Sequence, residues 1–479
     1  MRLGRDRVAA LVASLAISET AACTSATTQA SIQAAEAGAD VRSSTSRARI
    51  EAPALERRAP LASPAAASDD AALERPLDLP SLEVAAIARQ PSLVAAAHRV
   101  RALAERARAE GRLPPPELMA EIWQVPFAKP YALDKAGMIM FSVRQQFPAV
   151  GVLDKMAAAM ALEAQAEMAK AGGEARMLVR EVDRTFADYA EATARHQAHD
   201  GHRAIVEQMT AVARARYATG APLSDFTRAE LERARTDADL EREHGAITEA
   251  SAKLNGLLAR PANAPLGRPQ WSEPRSVALT PEQAAAIAAA GSPEILMAER
   301  MAESARAAAG AADREATVPM FSLGFDTFLP VSNTPVGYGL SFSMSLPWVW
   351  GAASARARGA EQRALAGRAA ASGARLRART DAGMALAAVQ AAERRYLILR
   401  DAAAPAARRA VDAARAGYAA GGTNVLMWLD AARAALEIDV DLAMAHGDLD
   451  RAVADLDLTA GGHVPRAPLP DAKEPTHAP

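Results

Sequence analysis

The sequence states one pattern twice, about 200 residues apart: a helical run, a stretch of alternating strand, then a very long alanine-rich helical run. Pro91 is answered by Pro293 at an offset of 202, Pro148 by Pro347 at 199, and Tyr217 and Gly220 by Tyr418 and Gly421 at 201. Landmarks that hold one offset this closely over most of a chain mark an internal duplication. A duplicated unit with so few strands and such long helices is not an ordinary globular core.

The length of 479 residues therefore reads as two copies of one unit rather than as several unrelated domains. The expected division is a signal peptide at 1–22, a disordered tail or linker at 23–80, a first copy at 81–260, a Pro-rich linker at 261–280, a second copy at 281–461 and a disordered C-terminal tail at 462–479. Half the residues are hydrophobic but only 4% are aromatic, and alanine supplies most of the apolar total. That composition favours helices that approach closely over a thick aromatic core. Net charge is −2 with both signs interspersed, which excludes nucleic acid as an expected partner.

The N-terminus carries Arg2, Arg5 and Arg7, then the apolar run Val8 to Ile17, then Thr20-Ala21-Ala22-Cys23. A basic start, an apolar run of about ten residues and a small-residue exit form a secretory signal, too short to span a bilayer as a helix. Cys23 is the only cysteine, so one chain has neither a disulfide framework nor a thiolate metal cluster. Its place after Ala-Ala resembles a bacterial lipoprotein cleavage site, in which Cys23 would become the lipid anchor; the alternative is an ordinary signal peptide with an incidental cysteine. No apolar run of 18 residues follows the signal, so any membrane contact must use strands.

In each copy the opening helix, from Ser81 and from Thr280, runs roughly 30 residues before the period changes to two. Gly337 to Leu346 alternates large apolar side chains with Gly and Ser, the pattern of a strand with a lipid-facing side and a small polar side. Its partner, Met320 to Phe328, sets Phe321, Leu323 and Phe325 against Ser322, Gly324 and Asp326. Copy one offers Ile139, Phe141, Val143 and Phe147 against Ser142, Arg144 and Gln146, with a weaker strand near Leu118 to Val125. A water-soluble hairpin with one buried face would alternate in the same way.

After Pro148 and Pro347 a helical pattern continues to Gly220 and Gly421, about 70 residues each time, or roughly 100 Å of helix. Bends are expected at Gly172-Gly173, Gly201, Gly383 and Pro405. A turn and a return helix of about 35 residues complete each copy, so two shorter helices can stack end to end beside the long one. Two hairpins make four strands. An unclosed four-stranded sheet would leave edge N–H and C=O groups unpaired in lipid, so several chains must share one barrel, eight strands from two chains or twelve from three.

These residues resemble the TolC-type outer-membrane efflux family over essentially all of residues 81–460. The most specific motif is Tyr-x-x-Gly followed by Asp-Ala, present as Tyr418, Gly421, Asp430 and Ala431. Copy one keeps Tyr217 and Gly220 and then drifts. The stretches Leu113 to Leu118 and Gln145 to Gly151 look most like the heavy-metal and cation branch. The resemblance implies a mostly α, α+β chain that trimerises into a twelve-stranded outer-membrane β-barrel continued by a periplasmic α-helical barrel. It implies a passive exit duct, no catalysis and no cofactor, with an adaptor protein and an inner-membrane pump as partners. It also implies a periplasmic gate at the tip formed by Tyr418, Gly421, Thr423, Met427 and Asp430, with Tyr217 and Gly220 at the matching turn. Thr423 stands where relatives carry a basic residue and Met427 where they carry an acidic one, so the gate is expected to be more apolar, through Met427 and Trp428.

His196, His199 and His202 fall at i, i+3 and i+6, spread around a helix with no carboxylate box, and are read as histidines of a solvated helix rather than metal ligands. Trp123, Trp348 and Trp350 lie at strand ends, where an interfacial belt or a packed corner is expected. Asp225, Glu230, Glu232, Asp237 and Asp239 are read as a solvated face, the alternative being the tube entrance. No nucleophile elbow, phosphate loop or His-Glu metal motif is present, so an enzyme is not expected. The competing reading is a soluble periplasmic coiled-coil adaptor, which would carry a further β-domain outside its hairpin.

Overall fold

The computed structural model describes residues 70–125, 127–128, 131, 136–220, 222–331 and 335–470. The signal peptide, Cys23 and the last nine residues lie outside them. After a single helical turn at Asp70–Leu73, the elements are α1 (Leu79–Arg89), α2 (Pro91–Glu110), β1 (Glu117–Trp123), β2 (Met138–Phe147), α3 (Val152–Ala218), α4 (Leu223–Leu257) and β3 (Arg275–Ser276). There follow α5 (Pro281–Gly291), α6 (Pro293–Thr317), β4 (Phe321–Pro330), β5 (Gly337–Met344) and α7 (Ala352–Ile398). A π-turn at Leu399–Ala403, α8 (Ala404–Ala419), α9 (Val425–Ala460) and β6 (Ala467–Pro468) end the described chain.

The opening helix of each copy is two helices, not one of thirty residues. The breaks fall at Gln90 and Ser292, whose ψ angles of 118° and 119° are extended. Each precedes a proline, whose ring excludes the helical region for the residue before it. α3 runs 67 residues through Gly172, Gly173 and Gly201 as one uninterrupted helix. Glycine weakens a helix but leaves its hydrogen bonds intact. Pro405 removes an N–H, and the π-turn immediately before it absorbs the missing bond.

Contacts divide the described chain into two units, one of residues 95–171 with 294–374, the other of residues 70–94, 172–293 and 375–470. In the first, the four strands form an antiparallel sheet in the order β1-β2-β4-β5. The register puts Leu118, Val143, Phe325 and Leu340 in one row across the sheet, and the alternation then sorts the two faces. The apolar face is bare: Tyr338 is 79% and Leu340 84% exposed. The opposite face is small and polar, with Ser142 1% exposed. A Cβ on Gly324 would lie 2.3 Å from the Ser341 hydroxyl, so that face has no room for a side chain there. Strands β1 and β5 are both left as open edges.

Helices of the same unit pack through alanine. Ala104 and Ala107 of α2 meet Ala161 of α3, and Ala149, Val152 and Ala311 form a second cluster with Met156 and Val318. At Gly367 of α7 a Cβ would come within 3.1 Å of the Ala302 Cα on α6, so glycine permits this helix approach. In the other unit, Ala382, Leu386 and Val389 of α7 pack on Leu449, Val453 and Leu456 of α9 and on Ala284 and Ala288 of α5. The linker is tied down there: β3 pairs with β6, Trp271 stacks on His446 at 3.8 Å, and its Nε1 donates to Asp450 at 2.7 Å. Among the described residues no helix is long and apolar enough to cross a membrane.

Candidate functional site: the helical tip and the bare sheet face

The second unit ends in two turns, one between α3 and α4, one between α8 and α9. Gly220 and Gly421 sit at φ +100° and +78°, a region that disfavours any residue with a Cβ, which explains a glycine at both turns. At the second turn the Gly422 N–H donates to the Gly417 carbonyl at 2.9 Å, and Asn424 caps α9 by accepting from the Met427 N–H at 3.1 Å.

The five tip residues singled out in the sequence divide sharply. Tyr418 is 2% exposed, in a cluster with Met209 of α3, Ala229 of α4, and Val425, Trp428 and Leu429 of α9. Its ring lies 5.6 Å from that of Trp428 and carries the Arg216 guanidinium at 4.7 Å, a cation–π contact from α3. Thr423 is turned back toward Gly417. Met427 and Asp430 are exposed, and Asp430 has no ion pair among the described residues. Trp428 is therefore core, and of that pair only Met427 presents apolar surface. Tyr418 Oη, Trp428 Nε1 and Thr423 Oγ1 are buried with no protein partner. Tyr217 does not repeat the role of Tyr418: it is 48% exposed.

One layer behind this cluster lies a charged group the sequence reading missed. Glu232 of α4, expected on a solvated face, is 5% exposed. Arg433 of α9 holds it in a two-pronged pair, Nε donating to Oε1 at 2.9 Å and Nη2 to Oε2. His202 Nε2 of α3 stands 3.4 Å from the same Oε1. The Arg433 pairing holds the Glu232 carboxyl below its usual range, and burial pushes the His202 ring down, keeping it neutral. His199 is buried as well, so two of the three histidines are not solvated. His196 lines a cavity of about 310 Å³ with Asp200, Arg203, Leu240, Glu241 and His244. Among the described residues no group of three His, Cys, Asp or Glu side chains could hold a metal ion. The lost signal was the repeat itself: Glu232 and Arg433 are 201 residues apart, the offset of Tyr217 and Tyr418.

The tryptophans at the strand ends are all exposed, Trp350 at a positive φ of 73°. Trp123 Nε1 donates to Glu121 at 2.8 Å. None of the three packs the corner as a buried residue.

Residues 285–462 match the family model described as outer membrane efflux protein. Over that stretch the sequence is similar to the outer membrane efflux proteins. Its fold is that of TolC-type outer-membrane channels. A membrane protein from Pseudomonas aeruginosa superposes with a TM-score of 0.69 at 22% identity, over 86% of this chain and 98% of that one. The outer-membrane channel OprN gives 0.68 at 19%, over 86% and 99%. The open state of the Neisseria gonorrhoeae MtrE outer membrane channel gives 0.66 at 19%, over 88% and 99%. Comparison with curated proteins finds no match to the sequence.

Proposed function

We propose that this chain is the outer-membrane exit duct of a tripartite efflux system, a passive conduit for solutes delivered by an inner-membrane pump through a periplasmic adaptor. One observation carries the reading: a four-stranded sheet with one bare apolar face, one small polar face and two open edges. Such a face is stable against lipid and not against water. Its open edges are tolerable in lipid only if other copies close them, at several kcal/mol per unpaired group otherwise. Three copies give a twelve-stranded barrel, wide enough for a water-filled lumen lined by the Ser, Gly and Asp326 face. The helical tip, with unpartnered polar groups on Tyr418, Trp428 and Thr423 and an exposed carboxylate on Asp430, supports a periplasmic gate where neighbouring copies meet. Cys23, beyond the described residues, would anchor the mature chain if lipidated.

Fractionation tests this. Recovery in the outer membrane as a species that runs as a trimer until heated is the expected result, whereas release with soluble periplasmic protein would return the soluble adaptor as the better reading.

A further inference from the structure

The series of large exposed side chains on the bare sheet face does not stop where β5 ends. Tyr338, Leu340, Phe342 and Met344 belong to the strand, and Leu346, Trp348 and Trp350 continue the same alternate positions through the corner, all exposed and Trp350 by 95%. Trp350 also holds a φ of +73°, a conformation that strains a bulky residue. The matching corner of copy one, Ala149-Val150-Gly151, takes a positive φ only at its glycine and carries no indole. The charge pattern then changes in one step. No Asp or Glu occurs at 327–360, and the first charged residues after Asp326 are Arg356 and Arg358, near the start of α7. Both are exposed, and among the described residues neither has an ion pair or a side-chain hydrogen bond. Copy one instead opens α3 with Asp154 and Lys155.

We propose that Trp348, Trp350, Arg356 and Arg358 form a surface for anionic glycerophospholipids of the periplasmic leaflet, with the indoles at the edge of the acyl layer and the guanidinium groups on lipid phosphates. The proposal rests on the duct reading and names the lipid class that the corner of copy two recognises. An indole suits that boundary because its ring is apolar and its N–H is polar. Arg356 and Arg358 follow the first residue of α7, Ala352, by roughly 6 and 9 Å along the helix. The headgroup layer outside the acyl core is about 5–8 Å deep, so these are the first cations a phosphate meets below the corner. Their long stems can reach back toward it while the charge stays in water. A guanidinium offers a phosphate two parallel N–H groups. A zwitterionic headgroup brings its own cation to its phosphate, whereas an anionic one leaves a net charge for the arginines to neutralise. With no carboxylate nearby in sequence to compete, the complementarity favours the anionic lipid. Arg356 and Arg358 lie about 200° apart around α7, so they serve separate headgroups rather than one pocket.

Delipidated, detergent-extracted protein provides the test, titrated with dioleoyl phosphatidylglycerol or with dioleoyl phosphatidylcholine while native mass spectrometry counts the bound lipids. The native protein should bind phosphatidylglycerol at least about fivefold more tightly than phosphatidylcholine. Arg356→Gln with Arg358→Gln, two exposed changes, should abolish that preference and leave phosphatidylcholine binding as it was. Trp350→Gly relieves the strained φ, so the assembly should melt no lower, yet both lipids should bind about threefold more weakly. No preference in the native protein, or a preference that survives in the double arginine variant, overturns the lipid surface. If the arginines instead face a neighbouring copy, the double variant will dissociate at a lower temperature with its preference intact, which overturns it too. These outcomes leave the duct standing. Native protein recovered with soluble periplasmic protein overturns the duct and the lipid surface together.

Discussion

The Ser142 hydroxyl on β2 donates to the Asp326 carboxylate on β4 at 2.6 Å, joining two hairpins that lie 184 residues apart in the chain. It sits on the small polar face, where Ser322 and Ser343 pair at 2.7 Å one strand further on. The sheet of one chain is thus a single object built from both copies, and its seam is polar only on the side turned from the bare apolar face.

Asp326→Leu should weaken that seam, because it leaves the buried Ser142 hydroxyl without an acceptor, a loss of about 1–3 kcal/mol. The temperature at which the membrane-extracted assembly dissociates on a gel should fall. Leu340→Asn, on the apolar face, should instead reduce recovery in the membrane fraction. Equal behaviour of the two variants would contradict the assignment of faces.

Tyr418→Ala removes a large buried side chain of the tip cluster and should cost about 3 kcal/mol locally. Tyr217→Ala, at the exposed equivalent, should cost little. Hydrogen exchange of the amides at 409–430 reports the difference: faster in the first variant, unchanged in the second.

Asp457 gathers the C-terminal segment onto α9, accepting from the Val464 N–H at 2.8 Å, from His463 at 2.7 Å and from Arg466. The hydrogen bond to Asp457, then that to Glu83, pushes His463 up to about 9. A folded-state value raised above the unfolded one means stabilisation that is complete below about pH 6.5 and lost as pH climbs through about 9. Melting temperatures of the native protein and of His463→Ala should therefore differ at pH 6.5 and converge by pH 10. Parallel curves across that range would remove His463 from the account.

Gly367→Leu should force α6 and α7 apart at Ala302, where even a Cβ would come within 3.1 Å of backbone, at a cost of about 1–3 kcal/mol. A denaturant midpoint lower than that of the native protein checks it.

The strands and long helices were legible because a period of two with Gly and Ser on one side cannot be mistaken for a helix, and because alanine marks close helix approach throughout. The breaks before Pro91 and Pro293 were visible as residues but not as breaks, since the helical pattern resumes at once and only the backbone of Gln90 and Ser292 carries the cost. At the tip, a motif pointed to Tyr418, while its burial under Arg216 depended on a helix from the other copy. Glu232 looked like one acid in a mixed-charge run. Its partner was 201 residues away, and pairing at that distance is decided by which helix faces meet.

Under the proposed function, one chain supplies a third of a closed sheet. Native mass spectrometry of the detergent-extracted protein measures this directly: the assembly should weigh three times its own denatured chain. A monomer extracted intact from the outer membrane would contradict it.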